Sequence, residues 1–307
     1  MELTSRSERL MGSTITVSIS HQQADQILAD CFSILRSYEH RFSANDSSSE
    51  LMEVNQKAGI EPVKVHPDLF SLIAIGTSHS QAQGSHLNIA IGPLVQTWRI
   101  GFSDARKPDQ VEIEQALTVI DPHQICLDPN QQTVFLKRKG MKIDLGALAK
   151  GFSADLLASY LRSQGIEQAL IDLGGNILTL GQNPVSHRPW RIGIQNPQLP
   201  RGEHLLVLSV TDKSVVTSGT YVRHLEVDGR SFHHIFDPQT GYPVETELAS
   251  LTIISERSVD GEIWTTRLFG EEPTYILNIV ETLPGMDAII VYQSGHLAYT
   301  SGLHDYL

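Results

Sequence analysis

Small or polar side chains alternate with apolar ones over Ser13-Thr14-Ile15-Thr16-Val17-Ser18-Ile19, which predicts a half-buried strand. Ala24, Ile27, Leu28, Cys31, Leu35 and Tyr38 then recur at helical spacing, so the strand feeds a helix. That helix is expected to stop near His40, because residues 42–49 are a run of turn formers, and a second helix starts at Ser49 or Glu50. Leu69, Leu72, Ile73 and Ile75 predict a third helix after Pro67, closing in the polar stretch around Gly84. Residues 87–102 contain Gly92-Pro93 and show no clear period.

Short strands are predicted over 124–127 and 133–137, with a turn at Asp128-Pro129-Asn130 between them. Leu148, Phe152, Leu156, Leu157, Tyr160 and Leu161 share one helical face, and Gly165 supplies the stop. Strands follow over 169–173, 190–194, 205–210, 251–254, 288–292 and 296–300, the last two joined through Ser294-Gly295. This order mixes hairpins with crossovers and predicts an α+β fold; a doubly wound parallel sheet is the weaker alternative.

A chain of 307 residues that is 40% hydrophobic and 19% charged can bury a large core, in one big domain or two moderate ones. The 23 Lys and Arg against 35 Asp and Glu leave a net charge of −12, which disfavours nucleic acid and anionic membranes as partners. It suits a small anion taken into a locally prepared pocket, helped by a divalent cation. Cys31 and Cys126 have no metal-binding spacing and read as two buried thiols. The first twenty residues contain no apolar run, cleavage site or lipid-attachment cysteine, so a cytoplasmic protein without a membrane anchor is expected, although a trimmed exported lipoprotein would look the same.

Two stretches concentrate groups that can do chemistry. Ile143-Asp144-Leu145-Gly146-Ala147-Leu148-Ala149-Lys150-Gly151 places an acid, glycines and a lysine where a helix begins, a location suited to anions. Its plainer reading, a capping aspartate and a solvated lysine, carries about even weight. Thr217-Ser218-Gly219-Thr220-Tyr221 reads as a hydroxyl-rich loop, followed by His233-His234-Ile235-Phe236-Asp237-Pro238-Gln239-Thr240-Gly241. A histidine there either braces the loop or carries a proton near neutral pH. Between them, Asp172-Leu173-Gly174-Gly175-Asn176 is a glycine turn that lets a ligand approach the backbone, or simply joins two strands.

Taken in order with Met11-Gly12-Ser13, Phe42-Ser43, Ser49-Glu50-Leu51, Asn55, Gly92-Pro93-Leu94-Val95 and Trp98, these motifs resemble the FAD:protein FMN transferases of the ApbE family over most of the chain. The resemblance implies an α+β fold of mixed, largely antiparallel sheets with flanking helices. It is a T-fold-related architecture, one domain over residues 1–307 that can divide into two lobes with the FAD cleft between them. It implies Mg2+-dependent transfer of FMN from FAD to a Thr or Ser hydroxyl of a target flavoprotein, with release of AMP. Two alternatives use the same pocket: hydrolysis of FAD to FMN and AMP, and FAD binding without transfer.

By the same resemblance His234 accepts the proton of the incoming hydroxyl. Met11 and Tyr221 contact the flavin, and Asp144, Lys150, Gly175, Asn176, Thr217, Ser218, Gly219 and Asp237 shape the FAD pocket. The Ala149 carbonyl and Asp260 ligate Mg2+. A family threonine four residues beyond the metal-binding aspartate is replaced by Trp264, leaving Thr265 or Thr266 as substitutes, and Asn88 and Ala90 replace an aspartate and a threonine ahead of Gly92-Pro93.

Overall fold

The computed structural model describes residues 2–200, 202–221, 223–227 and 229–307. The chain runs β1 (Thr4–Leu10), β2 (Ser13–Ile19), α1 (Ala24–Phe42), α2 (Glu50–Gln56), β3 (Val63–Lys64), α3 (Pro67–Ser80), α4 (Gly92–Trp98) and α5 (Gln110–Leu117). It continues through β4 (Ile125–Asp128), β5 (Thr133–Leu136), α6 (Ala149–Ser163), β6 (Ala169–Leu173), β7 (Ile177–Leu180), β8 (Trp190–Gln195) and β9 (His204–Val210). The last part holds β10 (Ser214–Gly219), β11 (His224–Val227), β12 (Arg230–His233), β13 (Leu248–Ser255), α7 (Ser258–Leu268), α8 (Pro273–Glu281), β14 (Asp287–Tyr292) and β15 (Leu297–Tyr299).

Eight strands form one sheet in the order β1-β2-β6-β7-β10-β13-β14-β15, and every neighbouring pair in it is antiparallel. The α+β expectation therefore holds and the parallel alternative does not. Smaller antiparallel sheets pair β3-β5-β4, β8-β9 and β11-β12.

Period-two alternation assigns the faces of the large sheet. Ile15, Val17, Ile19, Ala169, Ile171 and Leu173 pack with Ile27, Leu28, Cys31 and Leu35 of α1 and Leu157 and Leu161 of α6. Leu251, Ile253, Ala288 and Ile290 pack against Leu268, Ile276 and Val280 on α7 and α8. The opposite face, with Val215, Ile254, Ile289 and Val291, is covered by Trp190, Ile192, Ile194, Leu208 and Val210 of the β8-β9 hairpin. Flanked by neighbouring strands and covered on both faces, all eight residues of β13 are buried.

A further core gathers α2, α3 and the three-stranded sheet around Leu148, just before α6, Phe152 of α6, and Val259 and Ile263 of α7. Each of the two helices thus belongs to two cores and they share this one, so their separation is tightly limited. A Cβ on Gly151 would lie 2.6 Å from the Ser258 carbonyl oxygen, and one on Gly261 would lie 2.6 Å from Val216 Cγ2 on β10. Glycine at both positions lets α7 wedge between α6 and the sheet. Both cysteines are free thiols, and among the described residues no helix is long and apolar enough to cross a membrane.

Candidate active site

The antiparallel register brings separate turns to one level of the sheet. Leu10 pairs with Ser13, so Met11-Gly12 is a two-residue hairpin turn; both residues have positive φ, +50° and +70°, as a type I′ turn requires. Met11 N–H donates to Glu39 Oε1 at 2.6 Å, fixing the turn to α1. Gly174 and Gly175 form the β6-β7 turn at φ +75° and +98°. A Cβ on Gly174 would lie 2.4 Å from Ser13 Cβ, whereas Gly175 faces open space. On β10, Val215 pairs with Ile177 and Thr217 with Thr252, so the strand's far half continues past β7 to the level of these turns.

Residues 143–150 reach the same place from the helical side. Asn55 holds the backbone of Ile143 with both ends of its amide, donating to the carbonyl at 2.9 Å and accepting from the N–H at 2.7 Å. The next residue, Asp144, accepts the Gly146 N–H at 2.8 Å and shapes the turn into α6. Burial raises its carboxyl pKa, although part of its surface stays accessible. Lys150, in the first turn of α6, has its ammonium pKa lowered by burial, with Glu262, Arg223 and Asp172 the charges that act on it.

His234 completes this locus. Its Nδ1 lies 3.3 Å from the Arg223 carbonyl oxygen, an atom that only accepts, so Nδ1 carries the proton and Nε2 is left as a base. Burial, followed by the Arg223 charge, lowers its pKa to about 4, so the ring is neutral at pH 7. The neighbouring His233 has both nitrogens engaged: Nε2 donates to Val244 O at 2.9 Å and Nδ1 accepts from Ile235 N–H at 3.2 Å. The structure therefore separates a bracing histidine from a chemically free one. Because the Arg223 guanidinium acts on Asp144, Lys150 and His234 together, these three groups share one electrostatic environment.

Other expected residues fall differently. Thr217–Gly219 is the end of a strand rather than a loop. Thr217 Oγ1 pairs with Thr252 Oγ1 at 2.8 Å, and alternation turns Ser218 to the other face. The Tyr221 ring covers Gly219, where a Cβ would lie 2.9 Å from it. Asp237 Oδ1 accepts the Gln239 N–H at 2.8 Å and closes the turn whose Gly241 carbonyl accepts from Trp98 Nε1 at 3.0 Å. Asn176 is buried, with Nδ2 donating to Glu262 Oε1 at 2.9 Å and Oδ1 accepting from the Ser258 hydroxyl.

Asp260 sits in the first turn of α7, its pKa raised by burial and lowered by Arg257 and His79. Thr265 is fully buried, and its hydroxyl donates to the Glu262 carbonyl at 3.1 Å. Five residues along a helix is about 500°, so Thr265 points some 140° away from Asp260. Trp264 stands on the Asp260 side, edge-on to His79 at 6.4 Å between ring centroids, with the Arg267 guanidinium 4.4 Å from its centroid. The Ala149 carbonyl already accepts the Ser153 hydroxyl at 2.6 Å. Asn88 donates to Ile120 O and accepts from Ala90 N–H, and both it and Ala90 are buried. The substitutions at 88 and 90 are thus accommodated in the core.

Residues 11–290 match the sequence pattern of the ApbE family. The chain belongs to the ApbE family. An ApbE relative from Klebsiella pneumoniae (strain 342), called FAD:protein FMN transferase, is 44% identical over 262 residues, covering 85% of this chain and 80% of the relative. A relative of the same description from Treponema pallidum (strain Nichols) is 36% identical over 98% of this chain and 88% of its own length. The crystal structure of the ApbE protein from Thermotoga maritima superposes with a TM-score of 0.90 at 25% identity, covering 99% of both chains.

Two ApbE residues at this locus, Arg223 and Glu262, escape a reading of the sequence. Arg223 comes from the approach to the β11-β12 hairpin, where a lone arginine has no motif around it. Its side chain reaches back so that a Cβ on Gly12 would lie 3.6 Å from Nη2 and one on Gly101 3.0 Å from Cδ. Glu262 lies on α7, whose apolar positions give little periodic signal because the helix is buried on several sides.

Proposed function

We propose that this chain transfers the FMN portion of FAD to a Thr or Ser hydroxyl of a protein acceptor, with AMP as the leaving group. The observation that carries this reading is His234: a neutral ring with Nε2 free, held beside Arg223 and Lys150. The acceptor oxygen forms a bond to the phosphorus of the FMN half, the bond from that phosphorus to the AMP oxygen breaks, and the hydroxyl proton passes to His234 Nε2. Arg223 and Lys150 offset the phosphate charge, and the Gly175 backbone faces open space where a ligand can approach.

Among the described residues no three His, Cys, Asp or Glu side chains gather into a metal site. A cation held mainly by its substrate's phosphates does not need one, because Mg2+ is commonly bound through one or two carboxylates plus phosphate oxygens. Asp260 fits the carboxylate part of that pattern; Thr265 points away from it, and the Ala149 carbonyl is engaged by Ser153. Mg2+ bound there would supply charge neutralisation at the pyrophosphate.

The test is incubation with FAD, Mg2+ and a flavoprotein acceptor, followed by in-gel flavin fluorescence and AMP analysis. Covalent flavin together with AMP supports the reading, and its loss in His234→Ala supports the base. Free FMN and AMP without an acceptor would instead show a hydrolase. Binding without turnover is the second reading, favoured by Trp264 one helical turn beyond Asp260; tight FAD binding indifferent to Mg2+ and with no product would establish it.

A further inference from the structure

Thr217 and Gly219 of β10 stand opposite Thr252 and Ser250 of β13, and period-two alternation puts all four on one face of the large sheet. The first pair satisfies itself, Thr217 Oγ1 lying 2.8 Å from Thr252 Oγ1. The second cannot, because the glycine has no side chain to offer. Ser250 is fully buried, and its Oγ has no hydrogen-bond partner among the described residues. A buried hydroxyl left in that state costs stability, and a serine or threonine at position 219 would repeat the satisfied pair two residues away.

The room left at Gly219 is taken by an aromatic ring. A Cβ on Gly219 would lie 2.9 Å from Tyr221 Cε1 and 3.2 Å from Cζ, so the phenol end of the ring rests on the backbone directly opposite Ser250. Burial raises the Tyr221 phenol pKa, and the Ser250 hydroxyl acts on the same group in the opposite sense. The two hydroxyls thus face each other short of a closed hydrogen bond. Tyr221 is only half-buried, and it stands two residues before Arg223, whose carbonyl oxygen lies 3.3 Å from His234 Nδ1. One face of the ring is spent on the sheet, at the same locus as the histidine.

We propose that Gly219 and Ser250 are positioning residues for Tyr221: the glycine sets the height of the ring above the sheet, and the serine hydroxyl anchors its phenol end, so that the outer face is presented to a planar ring of the ligand. A ring stacked on that face holds the phenol on its seat and gives the Ser250 hydroxyl the partner it otherwise lacks. The inference rests on the proposed function in taking the isoalloxazine of FAD as the planar ring.

Two experiments on the full chain separate this idea from that reading. FAD affinity is measured by flavin fluorescence in wild type, Ser250→Ala, Tyr221→Leu and the double variant, and each is also melted without ligand. Ser250→Ala is expected to weaken FAD binding about fivefold in the wild-type background and by less than about twofold in the Tyr221→Leu background. Its melting temperature is expected to hold or rise, because the hydroxyl removed has no partner to lose. Where wild type binds FAD, equal losses in both backgrounds, no loss, or a loss that comes with a lower melting temperature overturn the proposal. Labelling with 13C at tyrosine Cζ, with the Tyr221 resonance assigned by Tyr221→Phe, then reports the seat without any flavin. That resonance is expected to move in Ser250→Ala and in Gly219→Ala while the other tyrosine resonances stay in place. A Tyr221 resonance unmoved in Ser250→Ala overturns the proposal whether or not FAD binds, whereas a moved resonance with no FAD binding in wild type supports the seat and removes the flavin reading instead.

Discussion

Asp155 on α6 accepts the backbone N–H of Ser258 at 2.7 Å, and of Val259 next to it at 3.0 Å, so the start of α7 is capped by a side chain from its neighbouring helix. The residue before the helix, Arg257, makes no side-chain cap. Asp155 therefore supplies what local sequence does not. Replacing it with alanine leaves two helix-terminal donors without that acceptor and is expected to cost about 1–2 kcal/mol, measured by urea unfolding. Asp155→Asn retains an acceptor and is expected to lose less; an asparagine variant as unstable as the alanine one would contradict the capping role.

The pH dependence of His234 follows from its environment. Its pKa in the folded chain is lowered from 6.5 to about 4, so the folded state prefers the neutral ring. The stability this preference contributes is complete above pH 6.5 and is lost as pH falls through about 4. Transfer that uses the neutral ring as base is expected to keep kcat/KM level with respect to this group from pH 8 down to about pH 5, and then to fall. An acidic limb centred near 6.5 would show that the ring is solvated and not enclosed.

Adjacent glycines in the β6-β7 turn are expected to respond differently to the same change. Gly174→Ala combines positive φ with a Cβ 2.4 Å from Ser13 Cβ, while Gly175→Ala has positive φ and open space. The second should cost about 1 kcal/mol and the first at least about 2 kcal/mol in denaturant titrations. Similar losses for both would mean that β2 and the turn are not in the contact described.

Arg223→Met removes the guanidinium that acts on Asp144, Lys150 and His234. FAD affinity is expected to fall about tenfold at low salt, with a smaller difference at high salt where screening weakens the wild-type interaction. An affinity unchanged at every ionic strength would remove Arg223 from the ligand's surroundings.

Asp260→Asn keeps the shape of the side chain and removes its charge. The Mg2+ concentration giving half-maximal transfer is expected to rise about tenfold or more, with thermal stability little changed. An unaltered Mg2+ titration would assign the cation to other groups.

What was legible in the sequence divides along physical lines. The strand at 13–19 and the helices at the first and sixth positions have one buried stripe each and declare themselves by period. The strand Thr4–Leu10 does not, because as an edge strand it exposes most of TSRSERL to solvent. The helix Gly92–Trp98 is hidden by Gly-Pro at its start, although proline belongs there, its missing N–H being one the helix leaves free. The segment at 217 resembled a loop because its hydroxyls and glycine outweighed the β-branched run before it. At the site, the adjacent histidines are equivalent by composition, and only the carbonyls of Arg223 and Val244 distinguish their roles.

The glycines at 151 and 261 give the site a property that its polar groups lack. Hydrogen bonds and charges in the cleft change with proton and salt concentration, but steric contact does not. With Gly151 of α6 stopping α7 at Ser258 on one side and Val216 of β10 stopping it at Gly261 on the other, the spacing from Asp260 and Glu262 to α6 is set as by a gauge block. The chemistry can be tuned by its solution while the frame that measures it keeps the same length.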